Sequence, residues 1–311
     1  MNPSAELIED GGTAASDSEF FRSPQFLEAE GTTHSLAITL DDGTLTAPLV
    51  VRQIEGTDRF DAISPYGYPG FRLEGEVGKP VLPAAIDFTE TGLVSAFLRH
   101  SLGDQVPLTG ATARNVCLLS DPELPRKSRP SDRRQIRGNL ENGYEVGFVA
   151  GPASSPVDRA GFFRSYTETM IRTDAAKRYF FTEDYFDLIL SSEKTWLALA
   201  RDDSGTIAAA SIAAASDGLM HYYLSGTADS HLRDSPMKNV IEAMIGFAAE
   251  KDMPLNLGGG ITPGDPLEEF KRGFANREEQ WYTSELVCDP AAYEELSPAE
   301  APEGFFPTYR A

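Results

Sequence analysis

A chain of 311 residues, 41% of them hydrophobic, can bury one large core or two of ordinary size, and no apolar run approaches the ~18 residues a membrane-spanning helix needs. A net charge of −21 repels polyanions on average, so any nucleic-acid contact must come from a local basic patch. Two cysteines, Cys117 and Cys288, are too few for a disulfide framework and lack metal-ligand spacing; they read as buried thiols of a reducing cytoplasm.

Residues 1–17 are polar, acidic and small, without the basic and apolar regions of a signal peptide, and read as a disordered tail. A short helix with aromatic anchors follows at 19–29. Strand-like runs at 34–40 and 45–52 flank Asp41-Asp42-Gly43, a hairpin turn. A further strand, 60–64, enters the stiff loop Pro65-Tyr66-Gly67-Tyr68-Pro69-Gly70. Residues 89–102 read as an amphipathic helix and 114–119 as a buried strand. The basic patch then gathers Arg126, Lys127, Arg129, Arg133, Arg134 and Arg137 against one acid, Asp132. It is expected on a helix that starts at Ser131 and closes at Asn142-Gly143. The bland alternative is a solvated helix face.

A second unit is expected from Tyr144, beginning with a strand and continuing with helices at 157–172 and 182–190. A three-strand meander follows at 195–201, 206–215 and 219–224, turning at Asp203-Ser204-Gly205 and Asp217-Gly218. After a loop at 225–234, Ser235 reads as N-cap and Pro236 as first residue of a helix. Its apolar positions, Met237, Val240, Ile241, Met244, Ile245 and Ala248, fit one helical face. Strand-like runs at 280–287 and a polar tail complete the chain. The expected organisation is therefore a tail (1–17), two units (18–143 and 144–293) and a second tail (294–311). Each unit is an α/β (α+β) mixed, largely antiparallel sheet flanked by helices.

The stretch 255–274 stands apart. Leu255 and Leu257 lead into Gly258, Gly259 and Gly260, and after a brief loop a helix starts with Asp265 as N-cap, Pro266 at its first position and Glu268 where a capping box wants an acid. Leu267, Phe270 and Phe274 share one face, Lys271 lies at its edge, and Glu268, Glu269 and Arg272 point away. An ammonium aimed inward beside glycine backbone is the first candidate for chemistry. The alternative is a lysine that snorkels over apolar surface. His221 and His231 show no triad or metal pattern, and Arg172 and Arg178, which flank an aromatic run, read as surface ion-pair residues first and as binders of a donor or acceptor phosphate second. No metal site is expected.

The order of elements resembles the N-acetyltransferase (GNAT) fold, and ordered landmarks are similar to the Fem-like branch built from two such domains. These are Ser64-Pro65-Tyr66-Gly67-Tyr68-Pro69-Gly70, Arg133-Arg134-x-Ile136-Arg137, Tyr166-x-x-Thr169-Met170, Tyr179-Phe180-Phe181, His221-Tyr222-Tyr223-Leu224-Ser225-Gly226-Thr227, Leu257-Gly258-Gly259-Gly260 and Phe270-Lys271-x-x-Phe274. The resemblance implies an aminoacyltransferase that moves an aminoacyl group from aminoacyl-tRNA onto an amine of a cell-wall precursor or peptide natural product. It implies no bound cofactor beyond that co-substrate. It implies Lys271 as the catalytic residue. Tyr66, Tyr68, Tyr222, Tyr223, Ser225, Gly258, Gly259 and Gly260 are the candidates to line the substrate cleft, with packing the alternative for the tyrosines and a tight strand exit for the glycines, and Arg129, Arg133, Arg134 and Arg137 would meet phosphates of tRNA. The competing donor is acyl-CoA, whose pyrophosphate acetyltransferases of this fold bind on a glycine-rich loop at a helix N-terminus. The equivalent loop here, 225–234, has one glycine, Gly226, and the acids Asp229 and Asp234.

Overall fold

The computed structural model describes residues 3–76, 79–103, 107–260, 262, 264–298, 300, 302 and 304–311. Chain contacts divide it into two units, residues 1–114 with 280–311 and residues 115–279.

The first unit opens with β1 (Ser4–Ile8), inside the segment expected to be a disordered tail. Its backbone pairs antiparallel with β2, Ser4 opposite Thr39 and Ile8 opposite Ser35, which gives a polar, acidic sequence its order. The Asp10 carboxylate accepts the amides of Gly12 and Ala14 and the Ser35 hydroxyl, closing the next turn. Ser23 caps α1 (Pro24–Ala29), and Phe20, Phe21 and Phe26 pack edge-on beneath it. The hairpin of β2 (His34–Thr39) and β3 (Gly43–Gln53) turns where expected. β4 (Phe60–Ile63) and the short β5 (Arg72–Gly75) both pair with β3.

Residues 89–102 were expected to be helical, and the structure corrects this. Gly92, left-handed at φ 64°, stops a single 3-10 turn, and β6 (Leu93–Arg99) runs on as a strand parallel to β4. Leu93, Val94, Ser95, Ala96 and Leu98 are all buried, so both faces are covered and the period-2 signal is lost.

The chain passes into the second unit along β7 (Thr112–Ser120), then α2 (Pro130–Glu141), β8 (Glu145–Ala150), α3 (Pro156–Arg172) and α4 (Glu183–Leu190). The meander β9 (Thr195–Arg201), β10 (Ile207–Ser216) and β11 (Leu219–Thr227) leads to α5 (Met237–Ala249), β12 (Leu255–Asn256) and α6 (Pro266–Arg272). The sheet order is β7-β12-β11-β10-β9-β8, in which β11 and β12 pair parallel and the other neighbours pair antiparallel. Every residue of β10, IAAASIAAAS, is buried, because α3 and α5 both pack on it, one on each face. The alanines are what lets helices approach both faces. On the α5 face Met237, Val240, Ile241, Met244 and Ile245 form a core with Leu255, Leu257 and Phe274. On the other, Phe162 of α3 meets Phe186 of α4 edge-on at 4.9 Å.

Two boundaries differ from expectation. α5 begins at Met237 after Pro236, and Ser235 is not its N-cap: its φ is 49° and its hydroxyl faces the Leu232 carbonyl. The unit boundary falls at 114/115 rather than 143/144. β7 pairs Leu119 and Ser120 with Asn256 and Leu255, and Asn139 of α2 donates to the Asp234 carbonyl and to Asn239 of α5. Both ties are long-range.

The last strand, β13 (Arg277–Val287), returns to the first unit, where 283–287 pair with β6, and α7 (Pro290–Leu296) follows. The expected polar tail is docked at its end: Tyr309 meets Ser95 at 2.7 Å and Arg310 binds the fully buried Asp61. Residues 299, 301 and 303 of that tail lie outside the described residues.

Candidate active site around Lys271

α6 starts as its sequence dictates: the Asp265 carboxylate accepts the Glu268 amide at 2.7 Å and Pro266 occupies the first turn. Its buried face, however, is only in part the apolar one: Phe270 packs against the core, but the first turn is inverted. Leu267 is 40% exposed, whereas Glu268 is 7% and Lys271 8% exposed, with Phe274 fully buried just beyond. Glu268, expected to point away, accepts the Gly264 amide at 2.8 Å and pairs with Arg272 at 2.5 Å. Those bonds, the Gly264 amide first, hold its carboxyl below the usual range. A helix that exposes leucine and buries a lysine is organised around more than packing.

Lys271 donates from Nζ to the Gly259 carbonyl at 2.7 Å. Burial pushes its ammonium down to about 8, against the opposing pull of Cys117 and Asp265. The glycines are required here by geometry. Gly258 adopts φ 72°, a Cβ on Gly259 would lie 2.8 Å from the Val116 carbonyl, and one on Gly260 2.7 Å from Asp265 Oδ1. Strand β7, the glycine run and α6 therefore meet around one partly titrating amine. Ile261 and Pro263, in the loop between glycines and helix, lie outside the described residues.

The tyrosines are distributed. On β11, Tyr222 packs on the same core as Phe270, and its hydroxyl accepts from Ser225 at 2.5 Å; burial raises it to about 12. Tyr223 turns to the other face and meets Tyr185 of α4 at 2.9 Å, as expected from strand alternation. Between them and Ser225, Leu224 sits at φ 43° in a bulge where Ser211 faces Ser225 and Ile212 faces Tyr223. A left-handed leucine is strained by ~1–3 kcal/mol, and no sequence signal announces it. Tyr66 and Tyr68 belong to the first unit. Tyr68 packs edge-on against Phe21 and Trp281 at 5.6 Å each, a structural contact, while Tyr66 is 39% exposed.

The basic patch lies on and just before α2, but part of it is already neutralised. Arg126 pairs with Glu242 at 2.7 Å, and Arg129 donates to the Glu269 carbonyl at 2.8 Å and its carboxylate at 3.2 Å. Arg133 holds the Ser128 carbonyl at 2.6 Å, and Arg133, Arg134 and Arg137 face solvent. Arg172 pairs with Asp229, as a surface arginine should. The 225–234 loop continues β11 to Thr227 and then forms a 3-10 helix at 229–234. In it the Asp229 amide is taken by Glu168 and the Asp234 carboxylate by Tyr144. His231, expected without a partner pattern, lies between Ser230 at 2.8 Å and Asp202 at 3.0 Å. Asp202 also takes the amides of Ser204 and Thr206, so the set pins a turn. Among the described residues no His, Cys, Asp and Glu gather as a metal site, and no helix is long and apolar enough to cross a membrane.

Residues 126–272 match the acetyltransferase (GNAT) domain family, a segment that begins in the basic patch and ends one residue beyond Lys271. No curated protein matches the chain by sequence. Among solved structures, FemX is similar over 94% of this chain and 99% of its own, with TM-score 0.63 and 9% identity. L-PGS from Bacillus licheniformis is similar over 85% of this chain and 86% of its own, with TM-score 0.55 and 12% identity. A C-terminal domain from Agrobacterium fabrum, assigned to a lysylphosphatidylglycerol synthetase, covers 91% of each chain at TM-score 0.55 and 13% identity. The domain match over residues 126–272 and the shared fold make the chain similar to acyltransferases of the GNAT class. Its overall fold is Fem-like, as the ordered landmarks implied.

Proposed function

We propose that the protein transfers an aminoacyl group from aminoacyl-tRNA to the amine of a small-molecule or peptide acceptor in the cytoplasm, forming an amide bond. The observation that carries this reading is the buried Lys271, hydrogen-bonded to Gly259 on the face of α6 where a hydrophobic residue would otherwise sit. In the reaction the acceptor nitrogen attacks the ester carbonyl, the C–N bond forms, the C–O bond to ribose breaks, and the proton lost by nitrogen is balanced by the one gained by the departing hydroxyl. Charge develops on the carbonyl oxygen and on that hydroxyl, and an ammonium in a water-poor site stabilises either. Lys271 supplies it while protonated. Gly258, Gly259 and Gly260 let a ligand approach the backbone closely. Tyr222 and Ser225, bonded to each other on β11, would line the cleft. Arg133, Arg134 and Arg137 would meet donor phosphates, with Arg129 at the edge. A structural neighbour named for a lysylated product supports an aminoacyl donor.

The second reading, an acyl-CoA donor, is favoured by the match to an acetyltransferase domain. The 225–234 loop argues against it, since its Asp229 amide already serves Glu168 and its two aspartates would repel a pyrophosphate.

Charged tRNA and candidate amines, incubated with the protein with and without ribonuclease, test the donor. Ribonuclease-sensitive amide product is expected. A product that survives ribonuclease and requires acetyl-CoA replaces the first reading with the second. Lys271→Met should lower kcat by ~10²–10³-fold, the loss typical of one oxyanion donor, and unchanged turnover in folded protein removes Lys271 from the chemistry. Charge reversal at Arg133 and Arg137 should weaken donor binding most at low salt. No effect on binding would leave the patch a solvated helix face.

A further inference from the structure

We propose that Asn256 and His221, an adjacent pair on β12 and β11, are positioning residues that set the glycine backbone to which Lys271 is bonded. The two side chains are 1% and 2% exposed and stand opposite each other in the parallel register. His221 Nε2 faces the Ser216 carbonyl at 3.3 Å, and a carbonyl only accepts, so Nε2 carries the proton. Burial pushes this imidazole down to about 4, which keeps it neutral and leaves Nδ1 as an acceptor. Asn256 Nδ2 lies 3.1 Å from Nδ1 and donates to it, so the carboxamide oxygen must point the other way. There it accepts the Gly258 amide at 2.8 Å.

Gly258 is therefore gripped from two sides, because its carbonyl also accepts the Leu118 amide at 3.2 Å. The next carbonyl, Gly259, takes the Lys271 ammonium. A run of polar contacts thus leads from Ser216 through His221, Asn256 and Gly258 to the residue bonded to Lys271. Neither side chain touches the lysine; they act on it through the backbone. Leucine at Asn256 would fill the volume but leave the Gly258 amide without its acceptor, freeing a segment whose glycines have little stiffness of their own.

The catalytic meaning of this pair rests on the proposed function, but its effect on Lys271 can be read without activity. Trace labelling with acetic anhydride, followed by mass spectrometry of the Lys271 peptide, reports how tightly the amine is held. Asn256→Leu and His221→Phe should raise the Lys271 labelling rate roughly tenfold or more, the scale of one buried hydrogen bond. His221→Gln keeps an acceptor for Asn256 and a donor for Ser216, and should label within about twofold of wild type. In the transfer assay the first two variants should lose kcat and keep the acceptor KM.

Unchanged labelling in folded Asn256→Leu overturns the proposal. Should that variant not fold by thermal melt, equal labelling of His221→Phe and His221→Gln overturns it instead. If labelling responds as expected but the wild type transfers nothing, the functional reading fails and the positioning role stands.

Discussion

The energetics of Lys271 follow from its inverted position on α6. Removing an ammonium from water is costly, and one backbone carbonyl does not fully replace its hydration, so the amine titrates near 8 instead of its ordinary 10.5. The sign of the linkage is fixed by that depression. Between pH 8 and 10.5 the unfolded chain holds more protons than the native one, so native stability rises with pH across this window. Wild type should therefore gain about 3 kcal/mol relative to Lys271→Met from pH 8 to 10.5, measured by denaturant melts. A constant difference between the two proteins would mean the lysine titrates as if exposed. The inward lysine was legible in the sequence from the spacing of Phe270, Lys271 and Phe274. The exchange of Leu267 for Glu268 on the buried face was not. A helical wheel ranks residues by polarity, and it cannot see that Glu268 is held inside by the Gly264 amide and Arg272.

Among the elements of the second unit, the contact of α3 with β11 is the tightest constraint on packing. A Cβ at Gly226 would lie 2.5 Å from the Tyr166 amide nitrogen, backbone against backbone, with no side chain free to yield. Gly226→Ala should cost about 1–3 kcal/mol as the helix is pushed off the sheet, read as a lower urea midpoint. Stability equal to wild type would show that α3 can shift freely. The same close approach explains why glycine follows Ser225 in β11, a position that sequence alone presents as a donor-loop glycine. The meander, α3, α4 and α6 were legible because each has period, cap and turn chemistry in agreement. β6 was not, since burial on both faces removed its alternation, and the Leu224 bulge was not, since leucine carries no left-handed preference. The domain boundary failed for another reason. It depends on pairing between Leu119 and Asn256, 137 positions apart by their numbers, which no local pattern encodes.

At the scale of the whole molecule, acid stability should be governed by two buried histidines, one in each unit, before the carboxylates matter. His100 of the first unit bonds Ser284 at 2.8 Å and lies against Phe71, and burial pushes it down to about 4. His221 of the second unit is pushed to about 4 by burial as well, against the weaker pull of Ser216 and Asp217. Both are neutral in the native state, whereas in the unfolded chain they protonate near their ordinary 6.5. As pH falls from 6.5 towards 4, the unfolded state therefore takes up two protons that the folded state refuses, and stability is lost. Each histidine should account for about 3 kcal/mol of that loss, which levels off below pH 4 where the native imidazoles protonate too. The ordinary carboxylate range lies lower, so the first loss on acidification should begin well above it. His221→Gln retains the contacts to Asn256 and Ser216 without a titrating group, and should flatten the stability profile between pH 6.5 and 4 by its own share. Replacing His100 with Gln should flatten the remainder, and since the two lie in different units the effects should add. A profile that stays flat to pH 4 in the unsubstituted protein would show that these imidazoles titrate as in the unfolded chain, and His221 would then be neutral towards Asn256 only above about pH 6.5.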